Sequence, residues 1–238
     1  MGSSAPANAR SAYLCYGVLL RLASRDADAS TVDGMHAMRM TAEIRWFWSG
    51  RPPRDFDAWF RTAGPSWDRA SDSKTRTDAY LRDHAQTVLG IKQRGGSTGV
   101  EIKGLISTRA TLLELAGCAA PVGLWGKWPS TLALDQRRLI RIEKQRWMRK
   151  FCVEAGAARE LPTGDASLRT CGCDVELTLL EGPDGSLWWT LGFEAFGAFD
   201  RVEEDLAATV AALTRRSPPR LNDGQASGYP GWLATRQW

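Results

Sequence analysis

The chain has 238 residues, 43% hydrophobic and 24% charged, which is enough apolar material for one sizeable core and makes a single domain the simplest count. The 31 Lys and Arg exceed the 27 Asp and Glu by a net charge of only +4, too small a surplus to signal a nucleic-acid polymer. No stretch nears the roughly 20 apolar residues of a membrane helix, and the short apolar run Ala12 to Leu20 lacks a strong basic start and a cleavage site.

Five cysteines, an odd count without regular spacing, argue against a disulfide framework. Cys171 and Cys173 stand too close together for the usual zinc spacing. Free thiols in a reducing compartment are the simpler reading, so a cytoplasmic protein with no membrane partner is expected.

Residues 1–40 are rich in Ala and Ser and hold Met35, Met38 and Met40 near their end. They are expected to be a disordered or mis-assigned extension before a single domain over 41–238. Thr41 to Trp48 alternates as a strand, and the Arg51 to Arg54 segment with its two prolines breaks it. Asp55 is placed to cap a short helix through Phe60. Strands follow at Thr77 to Arg82, Leu89 to Arg94 and Val100 to Ile106, the last two joined as a hairpin around Gly95 and Gly96. Thr108 to Ala116 reads as a helical turn or two, and Gly123 to Pro129 as a packed loop. A long charged strand spans Leu139 to Phe151. Asp174 to Glu181 and Leu187 to Phe196 form a hairpin around Pro183, Asp184 and Gly185. Asp200 is expected to cap a helix to about Arg215, with Glu203, Glu204 and Asp205 at its positive end. The fold class is therefore α+β, mostly antiparallel and barrel-like, with flanking helices.

Side chains two apart on a strand share a face. On that rule Glu43 pairs with Arg45, Lys92 with Arg94, Glu101 with Lys103, Lys144 with Arg146, Asp174 with Glu176 and Thr178, and Thr190 with Glu194. The opposite face is apolar on most of these strands, as in Ile44 and Trp46 or Val175, Leu177 and Leu179. Two arrangements satisfy this pattern. In one, an open sheet turns its charges to water. In the other, a closed barrel lines a lumen with them and packs its apolar face outward under helices. Charges buried that way must pair with each other or with a ligand. A lumen rich in Arg and Lys suits a compact polyanion, and its carboxylates suit a divalent cation.

The order of these segments resembles the CYTH superfamily of triphosphate tunnel proteins, which includes class IV adenylate cyclases, thiamine triphosphatases and inorganic triphosphatases. Glu43, Arg45 and Phe47 occupy the family's opening acidic strand, and Asp78 and Tyr80 its Asp-x-Tyr strand. Lys92 and Arg94, Lys103, and Lys144 and Arg146 stand at its successive basic strands. Asp174 and Glu176 match its acidic strand and Glu194 its late Glu, so the likeness spans about residues 41–215. The resemblance implies an eight-stranded antiparallel tunnel. It implies phosphate contacts from Lys92, Arg94, Lys103, Lys144, Arg146 and Arg45, and Mg²⁺ or Mn²⁺ at Glu43, Asp174, Glu176 and Glu194. Two positions depart from the family pattern: Arg45 stands where it has a second Glu, and Phe47 where it has Lys.

Three functions remain open on this reading. One is metal-dependent hydrolysis of inorganic or small organic triphosphate. Another is non-catalytic binding of a small phosphorylated anion. The third is a protein-interaction module built on tryptophans such as Trp125, Trp128 and Trp232, which the count of 11 Trp suggests. No Ser-His-Asp or Cys-His arrangement is legible, so nucleophilic catalysis is not expected. The oligomeric state is not specified by these patterns.

Overall fold

A computed structural model of the chain describes residues 38–62, 74–95, 99–162 and 169–238. Expectations for residues 1–37, for Trp67 and for Gly96 lie outside them. Ten strands appear in chain order: β1 Arg39–Ser49, β2 Lys74–Leu81, β3 Leu89–Arg94, β4 Val100–Leu115, β5 Cys118–Ser130, β6 Leu139–Glu154, β7 Ala157–Glu160, β8 Gly172–Glu181, β9 Leu187–Phe196 and β10 Gln225–Ala226. Three α-helices accompany them among the described residues: α1 Arg54–Thr62, α2 Val202–Thr214 and α3 Tyr229–Ala234.

Eight strands pair antiparallel in the order β1-β5-β4-β3-β2-β6-β8-β9, and β9 pairs back onto β1. The sheet is therefore a closed barrel, which leaves its eight wall strands no free edge. The short β7 extends β6 and β10 extends β1. This is the architecture the resemblance implied. No described helix is long and apolar enough to cross a membrane.

The barrel is built with its main apolar core outside the wall. Ala42, Ile44 and Trp46 of β1, Val175 and Leu177 of β8, and Leu191 and Phe193 of β9 point outward. Phe56 and Phe60 of α1 and Val202, Leu206, Val210 and Leu213 of α2 join them in one buried cluster. A buried ion triad fastens the same side. Arg149 of β6 donates to Glu160 of β7 at 2.8 and 2.5 Å, and Arg216, just past α2, also bonds Glu160. The outer face of β6 at Arg141 and Glu143 lies exposed, which explains why that strand carries charges on both faces.

Several local expectations give way. Thr108 to Ala116 and Gly123 to Pro129 are the two sides of the long β4-β5 hairpin, not a helix and a loop. Helix-favouring residues such as Leu112, Leu113 and Glu114 are overridden by pairing across Ala116 and Gly117, whose φ values of 58° and 89° suit a tight hairpin turn. Pro121 sits beside a register shift, where a strand tolerates the loss of a donor. Asp200 does not cap α2: the cap position is Arg201, with no side-chain bond. Asp55 lies in the first turn of α1 rather than before it. The strand expected from Thr41 begins at Arg39.

The β6-β7 turn repeats the Ala-Gly device, with Ala155 at φ 48° and Gly156 at φ 76°. An exposed alanine held in the left-handed region is strained, and asparagine tolerates that region better. Ala155→Asn is expected to stabilise the fold by about 0.5–1 kcal/mol in urea unfolding, with an unchanged dependence on denaturant.

Candidate functional site

Strand alternation places every candidate residue on the inner face. Along β1 these are Glu43 and Arg45, on β3 Lys92 and Arg94, on β4 Lys103, on β6 Lys144 and Arg146, on β8 Asp174 and Glu176, and on β9 Glu194. Residues not assigned a site role from the sequence join them: Arg76, Asp78 and Tyr80 of β2, Glu101 of β4, and Trp125 and Lys127 of β5. The i, i+2 spacing of Arg76, Asp78 and Tyr80 was a legible signal. Lys127 was hidden by the loop reading of its strand.

One end of this lumen is filled. Phe47, Tyr80, Ile140, Ile142 and Leu180 form a second buried cluster with Trp232 and Leu233 of α3. The Trp232 ring is fully buried and stacks on Phe47 with centroids 4.7 Å apart and planes 6° from parallel. Tyr229, at the start of α3, stacks on Tyr80 at 5.6 Å. Its ring covers the Lys144 ammonium at 3.8 Å and the Arg45 guanidinium at 4.9 Å. The Tyr229 hydroxyl is buried without a hydrogen-bond partner. Thus α3, which nothing in the sequence marked as part of the site, supplies its floor. Trp125 and Trp232 are both buried, so neither offers the exposed ring that an interaction module needs; Trp128 is half-buried.

Exposure rises away from that floor. Asp78, Lys144 and Arg45 are buried, Lys103 and Lys127 are partly open, and the Arg94 side chain is 51% exposed at the far end. Eight cations line the space: Arg45, Arg76, Lys92, Arg94, Lys103, Lys127, Lys144 and Arg146. They face six carboxylates among the described residues: Glu43, Asp78, Glu101, Asp174, Glu176 and Glu194. Lys144 lies 3.1 Å from Asp78, Lys92 2.6 Å and Arg94 2.7 Å from Glu101, and Lys127 contacts Glu194. Lys103 contacts Glu43 and lies over the Trp125 ring at 4.8 Å. Asp174, further along, is held by Arg169.

Room for these groups comes from missing side chains. A Cβ on Gly192 would stand 2.3 Å from Cζ of Arg45, and one on Gly123 would stand 2.6 Å from Nε1 of Trp125. Either would force its neighbour out of place.

The four expected metal ligands do not form a ligand set. Glu43, Glu194 and Asp174 stand in one cross-strand row, but each carboxylate is already engaged by a cation. Among the described residues no three His, Cys, Asp or Glu are grouped to hold a metal ion. The six basic residues all face the one lumen.

The surplus of cations leaves its mark on ionisation. Burial, and then the Lys127 ammonium, pull Lys103 down to about 7 against the attraction of Glu194 and Glu176. Burial likewise pulls Lys144 well below its usual value, only partly opposed by Asp78. The carboxylates move the other way. Burial would raise Glu101 and Glu194, but Lys92 and Lys127 on the first, and Lys127 and Lys103 on the second, outweigh it and hold each at about 2. Arg146 and then Arg45 hold Glu176 well below the carboxylate range, again against burial.

No protein-family model matches the chain, and no curated protein matches its sequence. Among solved structures, the S. pombe Pct1 RNA triphosphatase is similar at 9% identity and a TM-score of 0.39, over 90% of each chain.

Depressed carboxylates stabilise the fold above their unfolded pKa near 4.5, and that contribution disappears as pH falls through about 2. The thermal midpoint is therefore expected to drop steadily from pH 5 to pH 2. Glu194→Gln should flatten that slope, measured by circular dichroism across the series.

Proposed function

We propose that the lumen binds a compact, polyphosphate-like small anion, entering from the end opposite α3. The observation that supports this reading is the excess of inward-facing cations over carboxylates; burial first, and then the neighbouring Lys127 ammonium, lower Lys103 to about 7. Forcing like charges together in a buried space is unfavourable, and a polyanion relieves it. Arginine forks and lysine ammoniums match phosphate oxygens. In this reading Lys92, Arg94, Lys103 and Arg146 contact the anion, while Lys144 and Arg45 hold the deeper wall. Such a ligand is small, which suits a lumen with one end filled by α3. A cytoplasmic setting, where phosphorylated metabolites are abundant, suits it.

Binding of tripolyphosphate by isothermal titration is the direct test, and no measurable heat or competition at micromolar to millimolar ligand would sink the reading. Lys103→Ala and Arg146→Ala are each expected to weaken binding about tenfold or more, the scale of one lost charge-assisted hydrogen bond. Unchanged affinity in both variants would count against it. Phosphate release from tripolyphosphate, thiamine triphosphate and ATP, with and without Mg²⁺ or Mn²⁺, separates binding from hydrolysis.

The lowered Lys103 sets the sign of the pH dependence. At pH 8 it is largely neutral, and an arriving polyanion favours its protonated form. Binding at pH 8 should therefore take up protons, seen as a buffer-dependent heat. Relative to Lys103→Gln, the wild type should lose affinity as pH rises from 6 to 8.5. The anion's own ionisation is common to both proteins, so the difference isolates Lys103.

A further inference from the structure

We infer that the Arg45 guanidinium is a resident cation seated between the Glu43 and Glu176 carboxylates, in place of a divalent ion; with the anion reading on which this rests, the lumen then holds its anion without a metal. Arg45 is 7% exposed and its neighbours are acceptors. Its Nε donates to Oε1 of Glu43 at 3.0 Å, and its Nη1 to Oε1 of Glu176 at 3.3 Å. Thr190 Oγ1 lies 3.4 Å from the same Nη1. The remaining oxygens of both carboxylates are also engaged. Oε2 of Glu43 accepts from Lys103, and Oε2 of Glu176 accepts from Nε of Arg146 at 2.7 Å. Thr178 also donates to Oε1 of Glu176, at 2.8 Å.

A hard divalent ion needs several free oxygen ligands, and these two carboxylates have every oxygen already accepting a hydrogen bond. A second positive charge beside a fixed guanidinium is also repelled in a space this buried. Burial alone would lower the pKa of Arg45, but Glu176 and its neighbours more than offset it, so the positive charge is permanent.

Gly192 gives independent support. Arg45, Gly192 and Glu176 form one cross-strand row over β1, β9 and β8. Arg45 reaches Glu176 by lying directly over Gly192, where any side chain would collide with the guanidinium. The wall is thus recessed at the position where Arg45 crosses β9 to reach β8. A hydrated metal ion would need no such flat recess.

The test is Mn²⁺ binding followed by electron paramagnetic resonance in the wild type, Arg45→Gln and Arg45→Glu, without any anion. The wild type is expected to leave Mn²⁺ at about 1 mM unbound, in keeping with a site whose charge is already compensated. Arg45→Glu should bind Mn²⁺ about tenfold tighter than the wild type or better, with Arg45→Gln between them. Wild-type binding below about 1 mM, or a folded Arg45→Glu that binds no better than the wild type, overturns the inference. Should neither variant fold, tripolyphosphate affinity of the wild type in EDTA and in excess Mg²⁺ decides: binding in EDTA as tight as or tighter than in Mg²⁺ supports it, and a metal requirement overturns it. The manganese measurement needs no phosphate ligand, so failure of tripolyphosphate to bind would sink the anion reading and leave the exclusion of a metal at Arg45 standing.

Discussion

Everything in this protein turns on keeping charge inside a closed wall. An ordinary sandwich or barrel hides its apolar faces in the middle; here the middle belongs largely to Arg, Lys, Asp and Glu, and the main apolar face looks outward. Ion pairs removed from water return little net stability, because desolvation cancels most of the attraction. The arrangement therefore depends on every inward carboxylate meeting a cation. Breaking one partnership leaves an uncompensated buried charge, which is far costlier than the pair was worth. The driving force for folding has to come from elsewhere, from Ile44, Trp46, Leu191 and Phe193 pressed under α1 and α2.

That division of labour gives each face its own logic. The outer face tolerates exchange among apolar residues of similar volume, as packed cores do. The inner face is a linked set in which Glu43 serves Arg45 and Lys103, and Glu176 serves Arg45 and Arg146. Substitutions there couple to one another rather than adding independently. The two faces meet only through register. A shift of one residue in β1 would send Ile44 and Trp46 into the lumen and Glu43 and Arg45 beneath the helices. Pairing of β1 with β5 over Arg39–Glu43 and with β9 over Thr41–Ser49 guards against that slip.

Much of this was legible because period-two alternation is a strong signal on β1, β8 and β9. The sheet's closure was not legible from alternation, which fits a solvated sheet equally well; only the order of charged strands suggested a tunnel. The β4-β5 hairpin was misread because Leu112 to Ala116 favours a helix locally and Gly123, Gly126 and Pro129 look like loop residues. Their glycines answer to tertiary crowding, as where Gly123 makes way for the Trp125 indole. The floor was invisible for a different reason. A six-residue helix has no periodicity to read, and Tyr229 and Trp232 acquire their role only through where α3 docks. The pairing of carboxylates with arginines was equally hidden, since residue types alone cannot say whether Glu43 and Glu176 face a metal ion or a guanidinium.

The separate origin of that floor has a bearing on how such a protein can diversify. The wall's charges are distributed over eight strands locked together by register, so they cannot be rearranged piecemeal. The depth of the chamber is set instead by the rings of Tyr229 and Trp232 on one short helix. Changes in the bulk of those two side chains would deepen or shorten the chamber without moving a strand. Chamber depth and chamber charge are thereby governed by different parts of the chain, and each can drift while the other is held.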